Sequence, residues 1–384
     1  MSATNIEELY DDCLYHIMDY LSTEDRISFA QVCRRFRQVF TNGNNSKYSD
    51  FTIDLNSTRK ELIQFCICRE EVKSLTIDLD HFELPKHFRK YGCVSPVKCF
   101  EILCLNLSGM NNLMHLIVKQ KYKLTMLADK PFDQILSAVR HLPKLKKLKI
   151  QARDDCRVDC LSQLHHIEDL EILIPKIPNA TLVKCCKSNA NLLSLQLGYS
   201  CVQKDVRNIV PHCKNLEVLK FGMPGKSSDY VAVARLPKLR KLTYYGIRGI
   251  GSFEALLSVL AIKNQLTHLA IDCGSLVMQE IRQLIRIQNL RYLKCFSSTI
   301  ECVEMLACLS NLEELWLSMS SPLDISNALL LVIANCKNLK SLRVSGGIVN
   351  AKIISDATRE INFGKSGESA DSLLKLILDE YTKK

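Results

Sequence analysis

Three groups of residues in this 384-residue sequence have types and spacings that invite chemistry. Cys156-x-x-x-Cys160 followed by His165-His166 holds four potential zinc ligands, but structural zinc sites use short paired spacings that this run does not match. Gly364-Lys365-Ser366 has the ending of a phosphate-cradling loop. Such a loop needs a glycine five residues before its Gly-Lys, and that position is Arg359. The stretch 362–372 therefore reads as an exposed loop before a last strand. No Ser-His-Asp, Cys-His or paired-carboxylate arrangement stands out, so we expect no catalytic residue, metal or cofactor. Cys66-x-Cys68 and Cys185-Cys186 read as members of buried helix faces rather than redox pairs.

The chemistry that remains is recognition. Trp316 is the only tryptophan and lies between Leu315 and Leu317. In a strand, alternate side chains take opposite faces, so two buried leucines turn Trp316 outward. The same rule exposes Lys149, Glu171, Gln196, Lys220, Thr243, Lys294 and Arg343 on one face. Tyr292 and Phe296 flank Lys294 there, and Tyr245 follows its strand. A tryptophan beside tyrosine, phenylalanine, lysine and arginine has the composition of a binding hot spot. The expected target surface is Lys220, Tyr245, Tyr292, Lys294, Phe296, Trp316 and Arg343, and the expected target segment is partly acidic or phosphorylated. The rival reading is a tryptophan covered by the C-terminal segment or a neighbouring loop.

These side chains need strands at regular intervals. The pattern apolar-x-x-Leu-x-apolar recurs with its middle residue at Leu148, Leu170, Leu195, Leu219, Leu242, Leu269, Leu293, Leu315 and Leu342, separated by 22, 25, 24, 23, 27, 24, 22 and 27 residues. Tyr48-x-x-Phe51-x-Ile53, Val72-x-x-Leu75-x-Ile77 and Phe100-x-x-Leu103-x-Leu105 extend it towards the N-terminus, and Leu373-x-x-Leu376-x-Leu378 closes it. Between Leu103 and Leu148 two registers compete, a strand at Leu116 and one at Tyr122 to Leu127. Residues at helical spacing precede several strands: Asp205 to Cys213, Ile300 to Cys308 and Asp324 to Cys336. One unit cannot bury its own apolar face, and stacking neighbours makes a continuous core. The sequence resembles the intracellular leucine-rich repeats, an α/β solenoid with a curved parallel sheet inside and helices outside. That family places Asn or Cys three residues after the last strand position. Here Ser200, Gly274, Ser298, Ser320 and Gly347 stand there, with Ser as a substitute hydrogen-bonder and Gly permitting the turn.

The first forty residues do not follow the repeat. Apolar residues at Leu9, Cys13, Leu14, Ile17, Met18 and Leu21 make a helical stripe. Ser22 or Thr23 caps a second helix, with Glu24 and Asp25 in its first turn. Ile27, Phe29, Ala30, Val32 and Cys33 form its apolar face, and Arg34-Arg35-Phe36-Arg37 opens a third, basic segment. The spacing of Leu9, Leu14, Ile17, Leu21, Asp25, Val32, Cys33, Arg34 and Phe36 resembles the F-box. Tyr10 replaces its usual Pro, Arg26 its usual Leu and Phe36 its usual Trp; Phe36 keeps an aromatic plug, and Arg26 removes an apolar contact. So short a segment rarely closes a core alone, so another protein or the first repeat should cover its apolar face.

Together the two parts resemble the F-box leucine-rich-repeat family. The expected domains are 1–45, F-box, and 46–384, a solenoid of about 13–14 repeats of roughly 24 residues. The resemblance implies a substrate-recognition subunit of an SCF-type ubiquitin ligase, non-catalytic itself and acting in proteasomal degradation. Its partners would be a Skp adaptor, a cullin scaffold and a RING subunit reached through that adaptor, and a target protein. The adaptor-binding residues it implies are Leu9, Leu14, Ile17, Met18, Leu21, Ile27, Val32, Cys33 and Phe36. The rival from another class is a non-ligase repeat scaffold whose helical start merely caps the solenoid.

Composition agrees with a folded protein-binding chain. The apolar fraction is 47%, and Gly and Pro number 14 and 10. The net charge of +10 is evenly spread, with no basic run or nucleic-acid motif, so nucleic acid is not an expected partner. The longest apolar run, Ala328 to Ala334, is far short of a membrane span, and the acidic N-terminus lacks the features of a signal peptide. The expected location is intracellular, cytoplasmic and/or nuclear, with the 18 cysteines as reduced, buried thiols.

Overall fold

The computed structural model describes residues 6–42, 49–83, 95–122, 127, 130–153, 156–199, 201, 206–222, 227–245, 252–350, 352, 354–355, 357–359 and 374–379. The chain divides into two units, residues 1–189 and 190–384.

The first unit starts with three helices, α1 (Asp11–Asp19), α2 (Thr23–Val32) and α3 (Arg34–Asn42). The Ser22 hydroxyl accepts from the Asp25 amide at 3.2 Å and caps α2. Leu14, Met18, Ile27, Ala30, Phe36, Val39 and Phe40 bury one core, and the Phe29 and Phe36 rings stack with centroids 4.2 Å apart. Arg26 has a structural use that its mismatch to the family pattern did not suggest. Its Nε donates to the Leu21 carbonyl at 3.1 Å and its Nη2 to the Asp19 carbonyl at 3.2 Å. It thereby satisfies carbonyls that the end of α1 leaves without helical partners.

This core continues into the next helix, α4 (Arg59–Cys68). Ile67 and Cys68 are buried in it and Ile63 packs against it. The Thr58 side chain and Glu61 cap α4 reciprocally, and Lys60 pairs with Glu24 of α2. The first repeat thus covers one apolar side of the three-helix module.

Five strands belong to this unit: β1 (Asp50–Ile53), which precedes α4, and β2 (Ser74–Asp78), β3 (His115–Gln120), β4 (Lys147–Ala152) and β5 (Asp169–Leu173), which follow it. They pair in parallel and in chain order, with Phe51, Leu75, Leu116, Leu148 and Leu170 opposite one another. Helices α5 (Pro96–Leu107), α6 (Pro131–Val139) and α7 (Asn179–Ser188) lie between strands in the chain. The strand expected at Phe100 to Leu105 is the interior of α5. Ser95 caps that helix and Pro96 occupies its first position. Phe100, Leu103 and Leu107 are buried while Ile102 and Leu105 are exposed. That is helical spacing, which a six-residue template cannot tell from a strand. The strand is instead Leu113-x-x-Leu116-x-Val118, all three buried, which settles the competing registers in favour of Leu116. Residues 123–126 of the alternative, like Tyr48, Ser200, Leu373 and Gly364-Lys365-Ser366, lie outside the described residues.

In the second unit β6 (Ser194–Leu197), β7 (Val218–Phe221), β8 (Lys241–Tyr245), β9 (His268–Leu276), β10 (Tyr292–Ser297), β11 (Glu314–Met319), β12 (Ser341–Ser345) and β13 (Lys375–Asp379) pair in parallel and in chain order. Helices α8 (Glu254–Lys263), α9 (Met278–Leu284), α10 (Ile300–Met305) and α11 (Ser326–Asn335) alternate with the later strands. The helix expected before Leu216 is two tight 3-10 turns, Val206–Asn208 and Val210–His212. Pro211 has no amide to donate to a longer helix. Tyr244, at an apolar template position, is buried with its hydroxyl 3.0 Å from that of Tyr230.

Two polar devices join successive repeats. The hydroxyls of Ser298 and Ser320 donate to the carbonyls of Leu276 and Ser297, at 3.5 and 3.2 Å, so serine acts as a hydrogen-bonder here, to the last strand residue of the preceding repeat. The second lies on the other side of the strand. Asn112, Asn215, Asn289, Asn311 and Asn338 each precede the first leucine of a repeat, and each side-chain amide donates to the carbonyl of Glu70, Ala190, Asn264, Gln288 or Ser310 one repeat earlier.

Candidate functional site

Parallel pairing puts one residue of each strand into a common row. In the second unit the row is Gln196, Lys220, Thr243, Ala270, Lys294, Trp316, Arg343 and Ile377. A parallel row runs through Lys241, His268, Tyr292 and Glu314, two residues earlier on each strand. From β6 to β12 the leucines between these positions are buried and the row residues are not, except Ala270. Alternation therefore places the expected face as the sequence implied. Ala270 is the smallest side chain in its row, and a hollow of about 350 Å³ opens around it. Its lining includes Lys220, Lys241, His268, Asp272, Tyr292, Lys294 and Trp316.

Trp316 is half-buried by its neighbours. The Tyr292 ring centroid is 6.3 Å from it, the Lys294 ammonium 5.8 Å and the Arg343 guanidinium carbon 4.9 Å. Both cations are within the range at which an aromatic face attracts charge. Lys294 is also bound to Asp272, Nζ to Oδ2 at 2.6 Å. His268 stacks on Tyr292 with centroids 5.7 Å apart, and its Nδ1 is 2.9 Å from the Thr267 hydroxyl. Burial, and next the Lys241 ammonium, hold the His268 pKa below its ordinary value. Burial, then the Glu314 and Asp272 carboxylates, push the Tyr292 phenol up.

Of the residues expected on this surface, Tyr292, Lys294, Trp316 and Arg343 form one cluster, and Lys220 lines the same hollow. Tyr245 is turned to another use, since its hydroxyl donates to the Leu197 carbonyl. Phe296 is half-buried on the face one step further along, paired with Ser318 rather than with Trp316. Sequence reasoning missed Lys241, His268 and Asp272. Lys241 and His268 precede a repeat's marker leucine by one residue, so alternation applied to that position would have found them.

The second candidate surface is the three-helix module. Leu14, Met18, Ile27 and Phe36 are interior and build its core. Leu9, Ile17, Leu21 and Cys33 are half-buried, and Leu9, Ile17 and Cys33 pack against that core. Val32 is 67% exposed, and Tyr10 and Tyr20 are 83% and 79% exposed. The Arg35 guanidinium donates to the Leu9 carbonyl and lies 3.1 Å from the Asp11 carboxylate, fastening the start of α1 to α3.

Nine of the described cysteines are buried as expected, whereas Cys13, Cys66 and Cys308 are exposed. Burial pushes Cys68, Cys104 and Cys295 up to about 12, so these thiols stay protonated. Cys185 and Cys186 are buried in α7, whereas Cys66 is exposed. Among the described residues no three of His, Cys, Asp and Glu lie together to hold a metal ion, and no helix is long and apolar enough to cross a membrane.

Residues 6–47 match the F-box domain family. No curated protein matches the chain. Among solved structures, a crystal structure of an internalin from Listeria monocytogenes str. 4b F2365 is 17% identical, with a TM-score of 0.42, covering 72% of this chain and 78% of that one. Residues 6–47 thus match an F-box domain, and the parallel strands that follow in the chain have the leucine-rich-repeat pattern and leave alternate side chains unburied on one face.

Proposed function

We propose that the chain is the substrate-recognition subunit of an SCF-type ubiquitin ligase. Its F-box, taken as residues 1–45, docks on a Skp adaptor and through it on a cullin and a RING subunit. The repeats, residues 46–384, hold a target protein for ubiquitin transfer and degradation. The observation that carries the reading is the F-box at residues 6–47. The chemistry supplied is proximity: holding the target beside a loaded carrier enzyme raises its effective concentration and requires no catalytic group here.

The exposure pattern supports it. The α4 helix covers one side of the module, while Val32, Tyr10 and Tyr20 stay uncovered. These side chains are left available to an adaptor surface.

The test is co-purification of the full-length chain with the Skp adaptor and cullin, beside Val32→Asp and Leu21→Asp variants. Wild type should recover both proteins. Val32→Asp should lose both with an unchanged melting temperature, because Val32 contributes little to the core. Failure of the folded wild-type chain to recover the adaptor removes the ligase reading and leaves the non-ligase scaffold.

A further inference from the structure

Four sets of residues compete for a further role. The apolar groove lined by Phe65, Ile67, Phe82 and Leu103 has no feature that selects an occupant. The exposed tyrosines of the three-helix module belong to the surface already described. The exposed cysteines Cys13, Cys66 and Cys308 stand singly. The hollow around Ala270 combines charge with aromatic surface, and its charges are not all spent.

In that hollow Lys294 and Asp272 neutralise each other at 2.6 Å. Arg343 is stacked on Trp316. His268 is held below its ordinary pKa and is neutral at pH 7. Lys220 and Lys241 are exposed and make no ion pair among the described residues. The remaining carboxylate in the two rows is Glu314, on β11 beyond Tyr292. The face therefore has two open ammonium groups over β7 and β8 and an aromatic pair, Tyr292 and Trp316, over β10 and β11.

Resting on the proposed receptor role, we propose that this hollow binds a target segment with one or two Asp or Glu residues and a large apolar or aromatic residue at a fixed separation. The carboxylates pair with Lys220 and Lys241, and the apolar side chain packs on Trp316 and Tyr292. Neighbouring strands are about 4.8 Å apart, so β8 to β11 spans about 14 Å and β7 to β11 about 19 Å. An extended peptide advances about 3.3 Å per residue, which places the acidic and apolar residues about four to six positions apart.

A displayed library of random 12-residue peptides, selected against the full-length protein, tests this. Enriched peptides should carry Asp or Glu four to six residues from Phe, Trp, Leu or Met. A tryptophan-free synthetic copy should change the emission of Trp316, which reports this site alone because the chain has one tryptophan. The Lys220→Glu/Lys241→Glu double variant should weaken binding at least tenfold with unchanged melting, and Trp316→Phe should weaken it less than Trp316→Ala. Enrichment of basic peptides, no enrichment, or affinity untouched by the charge reversal overturns the proposal. So does binding of a phosphoserine copy with no measurable binding of its glutamate counterpart. Adaptor co-purification is measured on the same preparations. A chain that recovers the adaptor and fails here refutes the acidic-segment proposal alone, whereas loss of adaptor binding with peptide binding intact refutes the receptor reading.

Discussion

The guanidinium of Arg343 lies 4.9 Å from the centre of the Trp316 ring, and the two residues are direct partners across β11 and β12. The stack holds the ring at the sheet surface and occupies a cation that the sequence alone offers to a ligand. Trp316→Ala should lower affinity for a target bound at this face by about 2 kcal/mol or more. Arg343→Ala should cost less, about 0.5–1 kcal/mol, by freeing the ring it orders. Calorimetry on the two variants measures both, and an unchanged affinity in Trp316→Ala takes the residue off this surface.

Lys294 and Asp272 set the second expectation. Their side chains are 27% and 36% exposed and the contact is 2.6 Å. A partly hydrated pair of this kind is worth about 0.5–1 kcal/mol. A double-mutant cycle with Lys294→Met and Asp272→Asn, read by urea unfolding, should return a coupling of that size that shrinks in high salt. A coupling near zero assigns the pair to shaping the hollow rather than to stability.

Glu280 is fully buried and accepts hydrogen bonds from the Phe253 amide at 2.7 Å, the Ser252 hydroxyl at 2.9 Å and the Val277 amide at 2.9 Å. It thus ties the starts of α8 and α9 together. Glu280→Ala leaves buried donors without acceptors and should cost about 2–4 kcal/mol. Glu280→Gln keeps one acceptor oxygen and should cost less. Denaturant midpoints measure the order.

The residues that made the solenoid legible are those whose burial has a period. Leu148, Leu195, Leu293 and Leu315 announce their strands because buried apolar positions alternate with unburied ones, most of them polar. Phe100, Leu103 and Leu105 satisfied the same template and form a helix, since Ser95 and Pro96 start one and the template spans less than two helical turns. The five asparagines that precede strands are not part of the family pattern, which places Asn after the strand. Their partners, such as Gln288 for Asn311, are set by repeat stacking, which no single repeat displays. In the candidate site the residue types were readable, but the allocation of charge was not. That Asp272 takes Lys294, leaving Lys220 and Lys241 open, depends on distances across strands.

His268 supplies a pH dependence whose sign follows from its surroundings. Burial and the Lys241 ammonium lower its folded pKa from 6.5, Arg291 adds to the lowering, and Glu314 and Glu313 oppose it. From about one pH unit above 6.5 upward the ring is neutral in both folded and unfolded chains and contributes no slope. As pH falls below 6.5 the unfolded chain takes up a proton that the folded chain resists, so stability drops until the folded pKa is passed. His268→Gln should therefore match wild type in pH sensitivity above about pH 7.5 and lose less stability as pH falls through 6.5 towards 5. Lys241→Gln should move the NMR titration of His268 upward, because it removes the larger of the charge effects. A titration midpoint at or above 6.5 in the wild-type protein would mean that the carboxylates of β11 and its approach outweigh burial, and the pH dependence would reverse.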